Sequence, residues 1–183
     1  MFNDLLTSLK VFVSERGWLS YHSPRNMATT LAVETSELLE HFLPGATFSQ
    51  EELIHELGDV LHCILLTMES LCLEPPVTLP EYKSSGNLPL ELSTKLRTFM
   101  DHFSWLENGQ LYRGELSELK TVLEELLAIH LLLCKELHID PFKASAKKLE
   151  HNRKKYPVDL VKGSVENYYI RKKKLYQNKL KNE

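Results

Sequence analysis

The chain has 183 residues, a formal net charge of -3 and 43% hydrophobic residues, enough to bury a core in one domain or in two small repeats. This balance exerts no global pull toward nucleic acid or a membrane surface, and no stretch reaches the roughly 18 uninterrupted apolar residues of a membrane helix. Asp4, Lys10, Glu15 and Arg16 interrupt the start, unlike a signal peptide, while Cys63, Cys72 and Cys134 lie in leucine-rich runs and read as reduced core residues of a cytoplasmic protein.

The apolar periodicity is helical nearly everywhere and predicts an all-α helical bundle. A first helix is expected from about Phe2 to Arg16, ended by Gly17. Ser23-Pro24 opens a second, with Ser as N-cap and Pro at the first helical position, and Pro44-Gly45 stops it. Ser49-Gln50-Glu51-Glu52 is a capping box before a third helix carrying Leu53, Leu57, Val60, Ile64, Met68 and Leu71. Residues 75–87, rich in proline and serine, read as a linker between a first half (1–74) and a second (88–160). In the second half a helix is expected from about Leu90 to Glu107, stopped by Asn108-Gly109. Glu118–Pro141 then overlays Glu52–Pro75 without a gap, matching Leu53 with Leu119, Leu57 with Leu123 and Leu61 with Leu127. A tandem-duplicated pseudo-dimer and a chance match of leucine-rich helices both remain open. Asp140-Pro141 starts a last helix to about Tyr156. Beyond it, residues 161–183 form a basic tail with Tyr168, Tyr169 and Tyr176 among Arg171, Lys172, Lys173, Lys174, Lys179 and Lys181. That tail is either a frayed end or a surface for an acidic partner.

Two carboxylate pairs carry the candidate chemistry: Glu34-x-x-Glu37 on the second helix and Glu56-x-x-Asp59 on the third. Residues three apart share a helix face, and the short loop through Pro44-Gly45 sets the two helices side by side. Glu34 lies in register with Met27, Leu31 and Leu38, and Glu56 lies among Leu53, Leu57 and Val60. Carboxylates on a core-facing stripe are costly to bury unpaired, which leaves a Mg²⁺ site and a buried salt-bridge network as the two readings. Lys148, Asn152 and Arg153 could meet phosphate charge, whereas the run Lys147, Lys148, Arg153, Lys154 and Lys155 reads otherwise as a solvated basic face.

The order of these blocks resembles the all-α nucleoside triphosphate pyrophosphohydrolase superfamily of MazG-like proteins. Glu15-Arg16-Gly17-Trp18 with Tyr21-His22-Ser23-Pro24-Arg25-Asn26 is similar to the "ER.W…FH.PRN" opening of its dCTP pyrophosphatase group. Glu56-Leu57-Gly58-Asp59-Val60-Leu61 resembles "ELSDVL", and Lys148 to Pro157 resembles "K…NR..YP". The resemblance implies Mg²⁺, with Mn²⁺ as a substitute, held by Glu34, Glu37, Glu56 and Asp59. It implies attack by water at the α–β bridge of a (deoxy)nucleoside triphosphate, dCTP or a modified dCTP among the candidates, to give a monophosphate and pyrophosphate. Lys148, Asn152, Arg153 and Tyr156 would meet the phosphates, and Trp18, His22, Arg25 and Asn26 would line the substrate site. Packing is the alternative for Trp18 and Tyr156, and tying down a helix start the alternative for Arg25 and Asn26.

The chain also departs from the family. Val122, Glu125, Thr98 and Asp101 stand where the second copy would carry Glu56, Asp59, Glu34 and Glu37, so one functional site per chain is expected. Leu9, Cys63 and Pro44 stand where dCTP pyrophosphatases have base-pocket histidine, aromatic and tryptophan residues, which leaves the preferred base open. A Walker-type glycine loop is missing. A di-iron bundle would need Glu-x-x-His on two helices, and only Glu52-x-x-His55 has that spacing. His22, His41, His102, His130, His138 and His151 read as surface or cap residues. The non-enzymatic alternative is a MazG-like adaptor that kept the fold. Nucleic acid and membrane are not expected partners, and a homodimer remains open.

Overall fold

The computed structural model describes residues 1–104, 113–162, 166 and 170. Helix α1 spans Phe2–Glu15, α2 Pro24–Glu40, α3 Gln50–Ser70, α4 Leu88–Ser104, α5 Arg113–Glu136, α6 Pro141–Lys155 and α7 Val158–Val161, with a 3-10 turn at Leu19–Tyr21. The described residues contain no strand, as the periodicity predicts. None of their helices is long and apolar enough to cross a membrane. The expected stop at Asn108-Gly109 and the basic tail from Arg171 onward, with Tyr168 and Tyr169, lie outside the described residues.

Helix starts follow the expected capping chemistry. Ser23 Oγ accepts from the Asn26 amide at 3.3 Å, and Ser49 Oγ accepts from the Glu52 amide at 3.1 Å while Glu52 Oε2 accepts from the Ser49 amide at 2.9 Å. Asp140 Oδ1 accepts from the amides of Phe142 and Lys143 at 2.9 and 3.0 Å. Each such cap satisfies amides that the first turn leaves without partners. The expected linker is tied to the start of α4, because Glu91 Oε1 accepts from Ser84 Oγ, Ser85 Oγ and the Ser85 amide at 2.9, 2.6 and 2.6 Å.

Helices α2 and α3 pack together, as do α4 and α5, and the two hairpins meet through α2 on α4 and α3 on α5. Helix α6 lies along α3, and α1 touches both. One apolar cluster joins Leu9 of α1, Leu31 of α2, Leu61 of α3, Phe99 of α4, Leu123 of α5 and Leu149 of α6. Each such side chain contributes about 1.5–3 kcal/mol on leaving water, so the face of α3 left for polar residues is set by where this cluster stops.

The ends of α3 and α5 are built alike. Leu71, Cys72 and Leu73 amides donate to the carbonyls of Thr67, Glu69 and Met68; at the aligned positions Leu137, His138 and Ile139 donate to Leu133, Lys135 and Cys134. Cys72 and His138 sit at φ 56° and 57°, the only positive values at non-glycine residues among those described. This turn also corrects one expectation. Cys63 and Cys134 are buried, but Cys72 is exposed, because α3 has already ended and the left-handed residue swings its side chain outward.

Helices α3 and α6 approach most closely at Gly58. A Cβ there would lie 2.7 Å from Lys148 Cβ and 2.9 Å from the Ala144 carbonyl oxygen. Neither atom sits at the end of a flexible chain, so no rotamer change relieves the clash. Gly58→Ala is expected to lower folding stability by about 1–2 kcal/mol despite alanine's better helix propensity. Urea denaturation checks this, and an increase in the midpoint would mean that the helices separate freely.

Candidate metal centre

The site is built on the polar remainder of α3 and the facing sides of α2 and α6. Glu34 on α2 and Glu56 and Asp59 on α3 each present an oxygen, all three within 4.8 Å of one another, and all three residues are half-buried. At that spacing each ionised pair repels by about 3–4 kcal/mol at an effective dielectric near 20. Lys148, on α6 and 8% exposed at its side chain, forms an ion pair with Asp59 Oδ2. Asn152 Nδ2, one turn on, lies 3.5 Å from Asp59 Oδ1. One ammonium against three carboxylates leaves two negative charges.

The titration behaviour follows from this imbalance. Burial first, then repulsion from Asp59 and Glu37, pushes Glu34 up to about 8. Burial raises Glu56 to about 7, with Lys148 opposing the rise. Burial alone would lower Lys148, but the charges of Asp59, Glu56 and Glu34 outweigh it and raise its pKa. Glu56 Oε2 is buried and has no hydrogen-bond partner among the described residues. An orphaned carboxylate oxygen beside two others is a donor set that suits a hard divalent cation, whose two positive charges match the two left over.

The fourth expected ligand behaves differently. Glu37 is exposed and stands outside the trio, although it is near enough for its charge to raise both Glu34 and Glu56. Of the expected phosphate ligands, Lys148 and Asn152 are at Asp59, while Arg153 is exposed. Trp18 and Tyr156 pack edge to face at 5.7 Å, and Phe12 meets Trp18 at 5.9 Å. Buried Arg16 donates from Nε to the Tyr156 carbonyl at 2.8 Å and from Nη1 to the Phe12 carbonyl at 2.9 Å. The opening and closing sequence blocks therefore meet in space, through packing. Asn26 Nδ2 donates to the Tyr21 carbonyl at 2.9 Å and ties the 3-10 turn to α2. Arg25 is exposed, and half-buried His22 has its pKa lowered by burial. Leu9 and Cys63 are core residues, 2% and 7% exposed.

Two features escaped the sequence reading. His62 is buried, and its Nε2 lies 2.7 Å from Ser145 Oγ and 3.1 Å from the Ser145 carbonyl. Burial lowers its pKa to about 4, so it is neutral. His55 and His151 face each other across α3 and α6 with ring centroids 4.7 Å apart. The seam between these helices is thus a ladder of polar rungs: His55 with His151, Asp59 with Lys148 and Asn152, His62 with Ser145. Its trace in the sequence is His55, Asp59 and His62 on one face of α3, matched by Ser145, Lys148 and Asn152 on one face of α6. His130, expected at the surface, is instead fully buried in α5 and lies 3.6 Å from Cys134 Sγ, because the α5 face it occupies is covered on all sides.

No family model, curated protein or solved structure matches the chain.

The raised carboxylates set a pH dependence. In the folded, metal-free state Glu34 and Glu56 keep protons that the unfolded chain releases above about 4.5. Their contribution to stability is complete below that pH and is lost as pH rises through 7 and 8. The melting temperature of chelator-treated protein is expected to fall between about pH 5 and pH 9, and to fall less in Glu34→Gln or with excess Mg²⁺. A profile for the chelated protein that is unaffected by Glu34→Gln would show that this cluster is not strained.

Proposed function

We propose that this chain is a Mg²⁺-dependent nucleoside triphosphate pyrophosphohydrolase of the MazG-like all-α superfamily, nearest its dCTP pyrophosphatase group. The observation that carries the reading is the convergence of Glu34, Glu56 and Asp59, one of whose buried oxygens, Glu56 Oε2, has no hydrogen-bond partner among the described residues, with a single lysine to answer three carboxyl groups.

Glu34, Glu56 and Asp59 would hold Mg²⁺, or Mn²⁺ in its place. Bound there, the cation would supply charge neutralisation for a triphosphate and make water more acidic. Glu34 and Glu56 would release their protons on taking up the cation, so the loaded site would be fully ionised. Lys148 and Asn152 contact Asp59, and in this reading both would turn to an arriving phosphate oxygen. Exposed Arg153 and Glu37 belong to the approach rather than to the centre. The products would be a nucleoside monophosphate and pyrophosphate.

A duplicated, half-degenerate architecture fits the same reading. Support comes from the twin left-handed turns at Cys72 and His138 and from the pairing of α2 with α4 and α3 with α5. In the second half Glu125, aligned with Asp59, pairs with Lys95 at 2.6 Å, and Val122 is buried where Glu56 stands in the first. That position is already neutralised, so one site per chain is proposed. The packing of Leu9 and Cys63 into the core leaves the base pocket to other residues, and a modified dCTP is one substrate for the assay.

The second reading is a non-catalytic adaptor. The Asp59–Lys148 pair favours it, since a lysine in that place partly neutralises the cluster without a metal. Purified protein with Mg²⁺ and each standard and modified dNTP and NTP, scored for pyrophosphate, separates the two. Under the enzymatic reading, chelation abolishes release. Glu56→Gln and Asp59→Asn are then expected to lower kcat/KM by about 100-fold or more, and Glu37→Gln by only about tenfold. Inertness across the panel supports the adaptor.

A further inference from the structure

Both oxygens of Asp59 are engaged by α6. Oδ2 is ion-paired with Lys148, and Oδ1 lies 3.5 Å from Asn152 Nδ2. Across the same space Glu56 Oε2 is buried with no hydrogen-bond partner, and neither Glu34 nor Glu56 has an ion pair among the described residues. The lysine is therefore committed to one carboxyl group of three. Its root is fixed, because Lys148 Cβ lies 2.7 Å from where a Cβ on Gly58 would be, and His62 Nε2 meets Ser145 Oγ at 2.7 Å in the same seam. Any change of partner is made by the far end of the side chain, through rotation about its methylene torsions. That side chain is 8% exposed, so an ammonium that leaves Asp59 without meeting another anion becomes a buried unpaired charge.

We propose that Lys148 is a tethered counter-ion that a divalent cation has to displace from Asp59 on entering the carboxylate centre. The inference rests on the metal-centre reading above and concerns how that centre is regulated. A divalent cation and an ammonium on one carboxylate repel each other, so the two compete for Asp59. The lysine is the weaker ligand partner by charge, but it is already in place and loses no freedom by staying. Metal affinity is thereby held down in the chain on its own. The ammonium that the metal releases is left beside the centre as a ligand for an anion.

The test is titration of the metal-free full chain with Mn²⁺, without nucleotide, following the free ion by electron spin resonance. Lys148→Met keeps most of the stem that packs at Gly58 and is expected to bind Mn²⁺ about tenfold more tightly than the unaltered chain. Lys155→Met removes another positive charge whose field reaches Glu56, and is expected to change the affinity by about twofold or less. In the unaltered chain labelled at lysine Cε, the NMR signal of Lys148, assigned by its absence in Lys148→Met or Lys148→Arg, is expected to shift as Mg²⁺ binds. Equal Mn²⁺ affinity with and without Lys148, or a Lys148 signal that stays in place while Mg²⁺ binds, overturns the proposal and leaves the metal centre standing. An equal gain in Lys155→Met also overturns it, because the effect would then be one of net charge. Mn²⁺ bound by none of these chains overturns the metal-centre reading, and this inference with it.

Discussion

Three carboxylates crowd one end of the space between α2 and α3, and a single ammonium answers them. Much of the surrounding structure bears on that mismatch. Glu34 and Glu56 hold protons above the ordinary carboxylate range because burial, reinforced by repulsion from neighbouring carboxylates, outweighs the one nearby cation. Lys148 stays charged although buried, because the same carboxylates surround it. The ladder along α3 and α6 keeps that lysine from moving away, and Gly58 lets the helix carrying it come close enough. A charged cluster at this density needs a rigid frame, since any slack would let the side chains separate into water.

The helices were legible in the sequence because the signals are local. Ser23-Pro24, Ser49 with Glu52, and Asp140-Pro141 specify starts through bonds within a few residues, and all three are present in the structure. Glu34, Glu56 and Asp59 were legible for a related reason: polar residues on an apolar stripe of known period have to face inward together. Glu37 was less so, because whether a side chain three residues on turns inward depends on the rotation of the whole helix. The polar rungs were missed because each needs a partner from a helix far along the chain. No local rule pairs His62 with Ser145 or His55 with His151. His130 was misplaced for the same reason, since its burial depends on what packs over α5.

The two halves differ most where charge is concerned. Their apolar cores share one cluster, and three backbone hydrogen bonds of the turn after α3 recur at the aligned positions after α5. Yet Glu125 is met by Lys95 from the adjacent α4, whereas Asp59 is met by Lys148 from α6, outside either hairpin. A cation supplied by the neighbouring helix closes the position locally. One supplied by a separate element reaches Asp59 and leaves Glu34 and Glu56 with no ion pair of their own among the described residues.

The last long helix answers two distant parts of the chain at once. Lys148, within α6, is the counter-ion of Asp59, and the carbonyl of Tyr156, at its C-cap, accepts from Arg16 at the end of α1. Helix α6 is thus a two-point clasp: one side chain holds the acidic trio, one carbonyl holds α1, and Leu149 between them covers the apolar core.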